Sequence, residues 1–228
     1  MRQHLIFDAD DTLWENNRFF EDVIADFIAW LDHPTLEPDA VRAVFEDVSR
    51  AGVAVHGYGT KAFARNLAET WRRLGPRALG EDELAAAIAE LVRRLTWEEL
   101  ELIDGVEPTL ATLAGRHDLL LLTKGDVEEQ QRKIDVSGLA DHFGRTLIVA
   151  HKDEETYARL VAELGLDAER TWMIGNSPRS DVLAPIAVGL RSVFIPHPDT
   201  WRHEHAEVPD DHPRLLRLER FDELVRHF

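Results

Sequence analysis

In this chain of 228 residues, the segment His4–Thr12, HLIFDADDT, is the most informative about the fold. It begins with a short apolar run, which predicts a buried β-strand, and the run ends directly in the carboxylates Asp8 and Asp10. A helical block comes next, because apolar side chains recur at helical spacing from about residue 17 to residue 104, with no run that indicates a strand. The first strand must therefore find its partners later in the chain.

Beyond residue 104 the pattern predicts strands that alternate with helices. The predicted strands are 119–122, 146–149, 172–174, 192–195 and an edge strand at 215–218, and the predicted helices are 127–134, 156–164, 182–188 and 221–228. Such alternation indicates an α/β fold with a Rossmann-like, doubly wound, mostly parallel sheet. The helical block is then an all-helical cap domain, residues 15–104, inserted into an α/β catalytic core of residues 1–14 and 105–228.

Composition narrows the classes of partner and compartment. The chain has 43 acidic and 26 basic residues, a formal charge of −17, which argues against a nucleic-acid polymer as partner. It has no apolar run near the roughly 20 residues that cross a bilayer, so no membrane partner is expected. The absence of cysteine and of a signal peptide favours the cytoplasm. The sequence does not indicate an oligomeric state.

Polar groups follow each predicted core strand, where a doubly wound sheet binds its ligand. Two carboxylates at positions i and i+2 after a strand face the same side, and their repulsion is relieved by a cation. Mg²⁺ suits such oxygen ligands and is often shared with a substrate phosphate. The predicted metal ligands are Asp8, Asp10, Asn176 and Asp181.

The same edge of the sheet carries groups suited to phosphoryl transfer. Asp8 can act as the nucleophile that forms an aspartyl-phosphate, and Asp10 can protonate the leaving oxygen and later deprotonate water. Hydroxyl and ammonium groups can neutralise and orient the phosphoryl oxygens. The predicted phosphate-binding residues are Thr123, Lys124 and Lys152.

Four segments in this order resemble the haloacid dehalogenase superfamily: LIFDADDT, LLLLTKGD, AHKDEETY and WMIGNSPRSD. The helical block resembles that superfamily's small cap of the first type. The resemblance implies Asp8 as nucleophile, Asp10 as general acid/base, and Mg²⁺ held by the Asp8 carboxylate, the Asp10 backbone carbonyl and the fourth segment. It also implies the phosphatase branch, since the true haloacid dehalogenases of this superfamily lack the second aspartate and use no metal.

Three positions depart from the superfamily pattern. Asn176 stands where an aspartate is usual, which removes one negative charge from the proposed metal site but keeps an amide oxygen as ligand. Asp153 follows Lys152 where a proline is usual. Lys124 stands where an asparagine is usual and adds a positive charge near the phosphate.

Other residues support weaker expectations. Trp14 follows Thr12 closely enough to line the pocket, and the flexible segment between two cap helices offers possible substrate contacts at His56, Tyr58 and Lys61. Lys133, in the polar run QQRK, is expected on a solvated helix face. The histidine-rich segment 197–213 is predicted to be a long loop of unassigned role, with His203 and His205 exposed rather than metal-bound.

These observations favour a Mg²⁺-dependent phosphohydrolase that cleaves a small phosphorylated metabolite through an aspartyl-phosphate on Asp8. Two alternatives remain open. One is a phosphomutase of the same superfamily, which would return the phosphoryl group to a second hydroxyl. The other is a phosphoryl-accepting signalling module without turnover. The sequence does not identify the phosphomonoester.

Overall fold

The computed structural model describes residues 2–228. Six strands form one parallel sheet in the order β3-β2-β1-β4-β5-β6. Their bounds are β1 His4–Phe7, β2 Asp118–Lys124, β3 Arg145–Val149, β4 Thr171–Gly175, β5 Arg191–Phe194 and β6 Leu215–Arg217. The first strand in sequence is thus central in the sheet, between β2 and β4, and the predicted doubly wound α/β fold is confirmed.

Apolar side chains alternate between the two faces of this sheet. Leu5 and Phe7 belong to one buried cluster, whereas Ile6 between them belongs to the other. Successive side chains of a strand point to opposite faces, so a strand covered on both sides needs a continuous apolar run. The run before Asp8 is continuous for this reason, and Asp8 is the first residue beyond it.

Four helices cover the strands of this core. They are α5 Val106–Ala114, α6 Val127–Ser137, α7 Glu154–Leu164 and the short α8 Ala184–Ala187. Asp126 caps α6 by accepting a hydrogen bond from the Glu129 amide (3.0 Å), and Asp153 caps α7 by accepting one from the Thr156 amide (2.9 Å). Asp153, the unusual residue after Lys152, therefore begins the following helix.

The intervening part of the chain is helical throughout. Its helices are α1 Asn17–Leu31, α2 Pro38–His56, α3 Thr60–Leu74 and α4 Glu81–Val92. Arg18–Trp97 form one compact unit, and the residues up to Asn17 together with Glu98–Phe228 form the other. The helical unit has its own aromatic core, in which the rings of Trp30 and Trp71 stack at 4.0 Å between centroids.

Three elements differ from the sequence-based prediction. Helix α5 was not predicted, although Gly105, with a left-handed backbone (φ 79°), precedes it. The helix expected at 182–188 starts earlier, as a π-helical turn over Pro178–Leu183 that continues into α8. The closing helix is a 3₁₀ segment, Phe221–Arg226. Within residues 2–228, no helix combines the length and apolar character that crossing a membrane requires.

Candidate active site

A buried lysine joins two carboxylates at the carboxyl ends of the central strands. The Lys152 ammonium lies 2.5 Å from Asp8 Oδ1 and 2.6 Å from Asp181 Oδ1. All three side chains are buried. Parallel pairing explains the proximity, because Asp8 follows β1 and its amide donates to the Ile174 carbonyl of β4 at 2.9 Å.

Burial and charge act together on this group. Burial alone lowers the pKa of Lys152, but the charges of Asp181 and Asp8 outweigh it and the pKa lies above its usual value. Burial, followed by the charge of Asp8, raises the pKa of Asp181 to about 7, although Lys152 acts in the opposite direction. The lysine therefore carries the positive charge that makes two buried carboxylates tolerable together.

A second link connects Asp8 to the fourth segment through Thr12. The Thr12 hydroxyl lies 3.2 Å from Asp8 Oδ2 and 3.3 Å from Asn176 Oδ1. The Asn176 amide nitrogen donates to Thr200 Oγ1 at 3.0 Å, which orients the amide oxygen toward Thr12. The structure thus brings Asp8, Asn176 and Asp181 together, as the positions of their strands predicted.

This oxygen set fits Mg²⁺ by its chemistry. Asp8 Oδ2 and Asn176 Oδ1 both lie within 3.3 Å of one hydroxyl, and both are hard oxygen donors of the kind Mg²⁺ accepts. Asp181 differs, because Oδ1 contacts Lys152 and Oδ2 accepts a hydrogen bond from the Ser177 amide at 3.0 Å. Direct metal ligation by Asp8, Asp10, Asn176 or Asp181 stays a prediction.

Asp10 is surrounded by three donors whose contacts with it the sequence did not predict. Trp14 Nε1 donates to Oδ1 at 2.8 Å, and Gln130 Nε2 donates to Oδ2 at 2.9 Å. The Lys133 ammonium lies 3.0 Å from Oδ1 and 3.2 Å from Oδ2. The expectation of a solvated Lys133 is wrong, since this side chain is buried. Trp14 is also fully buried, and its contact with a substrate stays a prediction.

Gln130 connects Asp10 to the second segment. Its amide nitrogen lies 2.9 Å from Thr123 Oγ1 and 3.0 Å from the Lys124 carbonyl, in addition to its contact with Asp10. Its amide oxygen is buried and has no hydrogen-bond partner among the described residues.

Lys124 is engaged by the loop after β5. Its ammonium donates to Ser180 Oγ at 2.8 Å and pairs with the Glu204 carboxylate, whose Oε2 also accepts from the Ser180 amide at 3.0 Å. Lys124 lowers the pKa of Glu204 against the opposing effect of burial. Phosphate binding by Lys124 remains a prediction, and it would have to compete with this ion pair.

The turn after β1 is fixed by Asp11. This residue has a left-handed backbone (φ 59°), and its Oδ1 accepts hydrogen bonds from the amides of Asn16 and Asn17, both at 2.9 Å. Burial, with a smaller effect from the charges of Asp10 and Asp8, raises the pKa of Asp11 to about 8. Asp11, Glu15 and His197 each have one oxygen or nitrogen atom of a kind that can ligate a metal ion, and these three atoms lie within 4.8 Å of one another.

The histidine-rich segment is largely a loop, with a single 3₁₀ turn at Arg202–Glu204. His203 packs edge-on against Trp201, at 4.5 Å between ring centroids, and His205 Nε2 lies 2.9 Å from the Thr200 carbonyl. Glu204 is the residue of this loop that reaches the strand ends. No sequence pattern pointed to it.

The predicted cap contacts all lie at the junction of α2 and α3. His56 ends α2, Lys61 is in the first turn of α3, and both are exposed, whereas Tyr58 between them is partly buried. Their contact with a substrate stays a prediction.

The close approach of Asp181 to β4 requires a glycine at position 175. A Cβ atom at Gly175 would lie 2.3 Å from Asp181 Oδ2 and 2.5 Å from its Cγ. We expect Gly175→Ala to displace Asp181 and to lower the free energy of unfolding by about 1–3 kcal/mol in urea denaturation. Gly115→Ala is the control, because its Cβ would meet only the Thr112 carbonyl at 3.6 Å. Equal stability of the two variants would contradict this account.

Comparison with known proteins places the chain in a family. A family model described as a haloacid dehalogenase-like hydrolase matches residues 3–189, most of the chain. The chain belongs to the haloacid dehalogenase-like hydrolases. The four segments of this hydrolase that resemble the superfamily, from LIFDADDT to WMIGNSPRSD, all lie within the matched residues.

Solved structures agree with this assignment. A haloacid dehalogenase-like family hydrolase from Xanthomonas campestris is 33% identical, with a TM-score of 0.82, and the match covers 99% of this chain and 91% of that one. Two others are similar in fold alone. The HAD-hydrolase YfnB from Bacillus subtilis, bound to magnesium, is 20% identical (TM-score 0.67, 99% and 98% covered). L-2-haloacid dehalogenase from Xanthobacter autotrophicus is 17% identical (TM-score 0.64, 99% and 98% covered). No curated protein matches this hydrolase.

Proposed function

We propose that this hydrolase is a Mg²⁺-dependent phosphatase that cleaves a small phosphomonoester through an aspartyl-phosphate on Asp8. The observation that carries the proposal is the second carboxylate. Asp10 follows Asp8 by two residues and is held by Trp14, Gln130 and Lys133. Displacement of a halide needs no proton donor, whereas an alkoxide leaving group does. An Asp10 carboxyl group that three donors hold in place therefore favours hydrolysis of a phosphate ester over dehalogenation.

In the first half-reaction, an Asp8 carboxylate oxygen attacks phosphorus and the bond from phosphorus to the ester oxygen breaks. Asp10 gives its proton to the leaving oxygen, so that a neutral alcohol departs. Lys152 orients the Asp8 carboxylate through its contact with Oδ1 and offsets the charge of the buried group.

In the second half-reaction, water attacks the phosphorus of the aspartyl-phosphate and the bond to the Asp8 oxygen breaks. Asp10 accepts the proton of the water, so both carboxylates return to their starting states and inorganic phosphate leaves. Thr123 and the amides after it would bind phosphoryl oxygens in both steps.

The chain offers Asp8, the Asp10 carbonyl, Asn176 and Asp181 as the residues that would hold Mg²⁺. When bound, the ion neutralises charge on the phosphoryl oxygens. The substrate would be a small phosphorylated metabolite, and the protein would act in the cytoplasm. Nucleic-acid polymers and membranes would not be partners.

Removal of the metal tests the proposal most directly. We expect EDTA to abolish phosphate release from a panel of metabolite monoesters and from 4-nitrophenyl phosphate, and added Mg²⁺ to restore it, because the carboxylates alone repel the phosphoryl group. Halide release from 2-chloropropionate is the parallel assay. Chelator-insensitive halide release without phosphate release would contradict the proposal.

Asn176 provides a second test of the metal site. We expect Asn176→Asp to lower the dissociation constant for Mg²⁺ by about 10-fold, since a carboxylate adds a full negative charge worth roughly one to two kcal/mol at a partly screened site. Titration calorimetry measures the binding directly, without reference to turnover. Asn176→Asp also loses the hydrogen bond from the Asn176 amide to Thr200, and Thr200→Val is the control for that loss. If Asn176→Asp binds Mg²⁺ as the wild type does, Asn176 does not ligate the metal.

A further inference from the structure

The Asp10 carboxylate is restrained on both oxygens at once. Oδ1 accepts from Trp14 at 2.8 Å and contacts Lys133 at 3.0 Å, while Oδ2 accepts from Gln130 at 2.9 Å and contacts Lys133 at 3.2 Å. Donors on both oxygens fix the rotation of a carboxylate about its last bond as well as its position. Few rotamers of Asp10 satisfy all three partners together.

These partners are buried, whereas Asp10 itself reaches the surface. Trp14 is 0% exposed, Lys133 1% and Gln130 3%, but the Asp10 side chain is 23% exposed. A substrate could therefore meet Asp10 without meeting the groups behind it. Gln130 and Lys133 can influence a reaction only through Asp10 and its neighbours.

The buried Lys133 ammonium is surrounded by oxygen atoms of three side chains. Burial of an ammonium is costly unless oxygen atoms surround it. Here Asn16 Oδ1 lies 2.7 Å away, Asp10 supplies two contacts and Glu129 Oε1 lies 3.8 Å away. Asp10 is the member of this polar set that the proposed reaction uses, and its side chain is 23% exposed.

Gln130 ties Asp10 to Thr123. Its amide nitrogen carries two hydrogens and faces three acceptors: Asp10 Oδ2, Thr123 Oγ1 and the Lys124 carbonyl. Its own oxygen has no partner among the described residues, so the side chain is oriented by what its nitrogen binds. The distance between the acid at position 10 and the hydroxyl at position 123 is thereby fixed through one side chain.

We propose that Gln130 and Lys133 are positioning residues that hold Asp10 in line with the leaving oxygen. The inference rests on the proposed phosphatase function. It has a consequence that a purely structural role lacks, because general acid catalysis matters most for leaving groups that cannot depart as stable anions. Loss of either residue should harm poor leaving groups selectively.

The test compares kcat/KM for aryl phosphates, from 4-nitrophenyl phosphate, a good leaving group, to phenyl phosphate, a poor one. For each substrate, kcat/KM reports the steps up to formation of the aspartyl-phosphate. For Gln130→Met we expect a loss of about 10²-fold with phenyl phosphate and less than about 3-fold with 4-nitrophenyl phosphate, because positioned acids contribute roughly 10²–10⁴-fold. Lys133→Met should show the same selectivity.

Gln131→Met is the matched control. Gln131 lies next to Gln130 on α6 but is exposed and bonds to Asp135 at 2.8 Å, so both substrates should react as with the wild type. Lys133→Arg keeps the charge and should recover part of the phenyl phosphate rate. If a thermal melt shows that Lys133→Met does not fold, Lys133→Arg replaces it in the comparison of the two substrates.

The outcomes separate the two claims. An equal loss with both substrates, or no loss with either, in folded Gln130→Met would overturn the positioning role. If the wild type releases no phosphate from any aryl phosphate in the presence of Mg²⁺, the proposed function itself fails. Selective loss with the poor leaving group in an active enzyme supports both.

Discussion

Asp8→Asn is expected to lower phosphate release by about 10⁴-fold or more, since removal of a nucleophile eliminates the covalent route rather than weakening one contact. The amide keeps the shape of the side chain, and Lys152 keeps its contact with Asp181 at 2.6 Å. The fold should therefore persist, with a thermal midpoint close to that of the wild type. Rapid quench and intact-mass measurement should detect a phosphoryl adduct on the wild type and none on the variant.

Asp47→Asn is a suitable control for this experiment. Asp47 is exposed, pairs with Arg50 at 3.0 Å and lies in the helical unit, so the same chemical change should leave turnover unaltered. Turnover of Asp8→Asn at the wild-type rate would show that another residue carries the phosphoryl group.

Lys152→Met is expected to reduce both stability and activity. Removal of one partner from a buried ion pair leaves an uncompensated charge and typically costs about 3–5 kcal/mol in unfolding free energy. Here two carboxylates, Asp8 and Asp181, would lose their shared cation. Turnover should fall on the order of 10²–10³-fold at temperatures where the variant is folded, because Asp8 also loses the group that orients it.

A double variant separates the two effects. Lys152→Met with Asp181→Asn removes one of the stranded charges, so urea denaturation should show part of the lost stability restored, whereas activity should stay low. Arg50→Met, at an exposed ion pair, should change stability by less than about 0.5 kcal/mol. Full activity in the double variant would deny Lys152 any part in orienting Asp8.

The strands and the residues at their carboxyl ends could be predicted because they follow from local rules. A continuous run of three apolar residues, Leu5–Phe7, followed by acids indicates a strand buried on both faces, and parallel strands bring their carboxyl ends to one edge. Asp8, Lys152 and Asp181 meet for this reason, although they are separated by 144 and 29 positions in the chain.

The groups behind Asp10 escaped prediction for a different reason. Helix α6 is polar around most of its surface, so hydrophobic periodicity does not reveal which face is inward. Gln130, Lys133 and Ile134 have the spacing i, i+3 and i+4 that places them on one buried face, while Gln131 and Asp135 are exposed. A buried polar face has the same sequence pattern as a solvated one, and only the tertiary environment tells them apart.

Backbone geometry and long-range loop contacts account for the remaining differences. The contact of Trp14 with Asp10 was not predicted, and it arises because Asp11, in a left-handed conformation, turns the chain back so that Trp14 pairs with Leu102. Glu204 reaches Ser180 from a segment without periodicity, across 24 positions. Neither feature follows from propensity or hydrophobic pattern.

Residues 199–205 lie outside the family match but contact residues inside it. The family match ends at residue 189, yet Thr200 orients Asn176, the Asp199 carbonyl accepts from Asn17 at 2.7 Å, and Glu204 engages Lys124. Asn176 and Lys124, both in the matched segments, are thus contacted by residues that lie outside the match. Exchange of the carboxyl-terminal segment between two relatives would consequently alter the site even when every motif residue is retained.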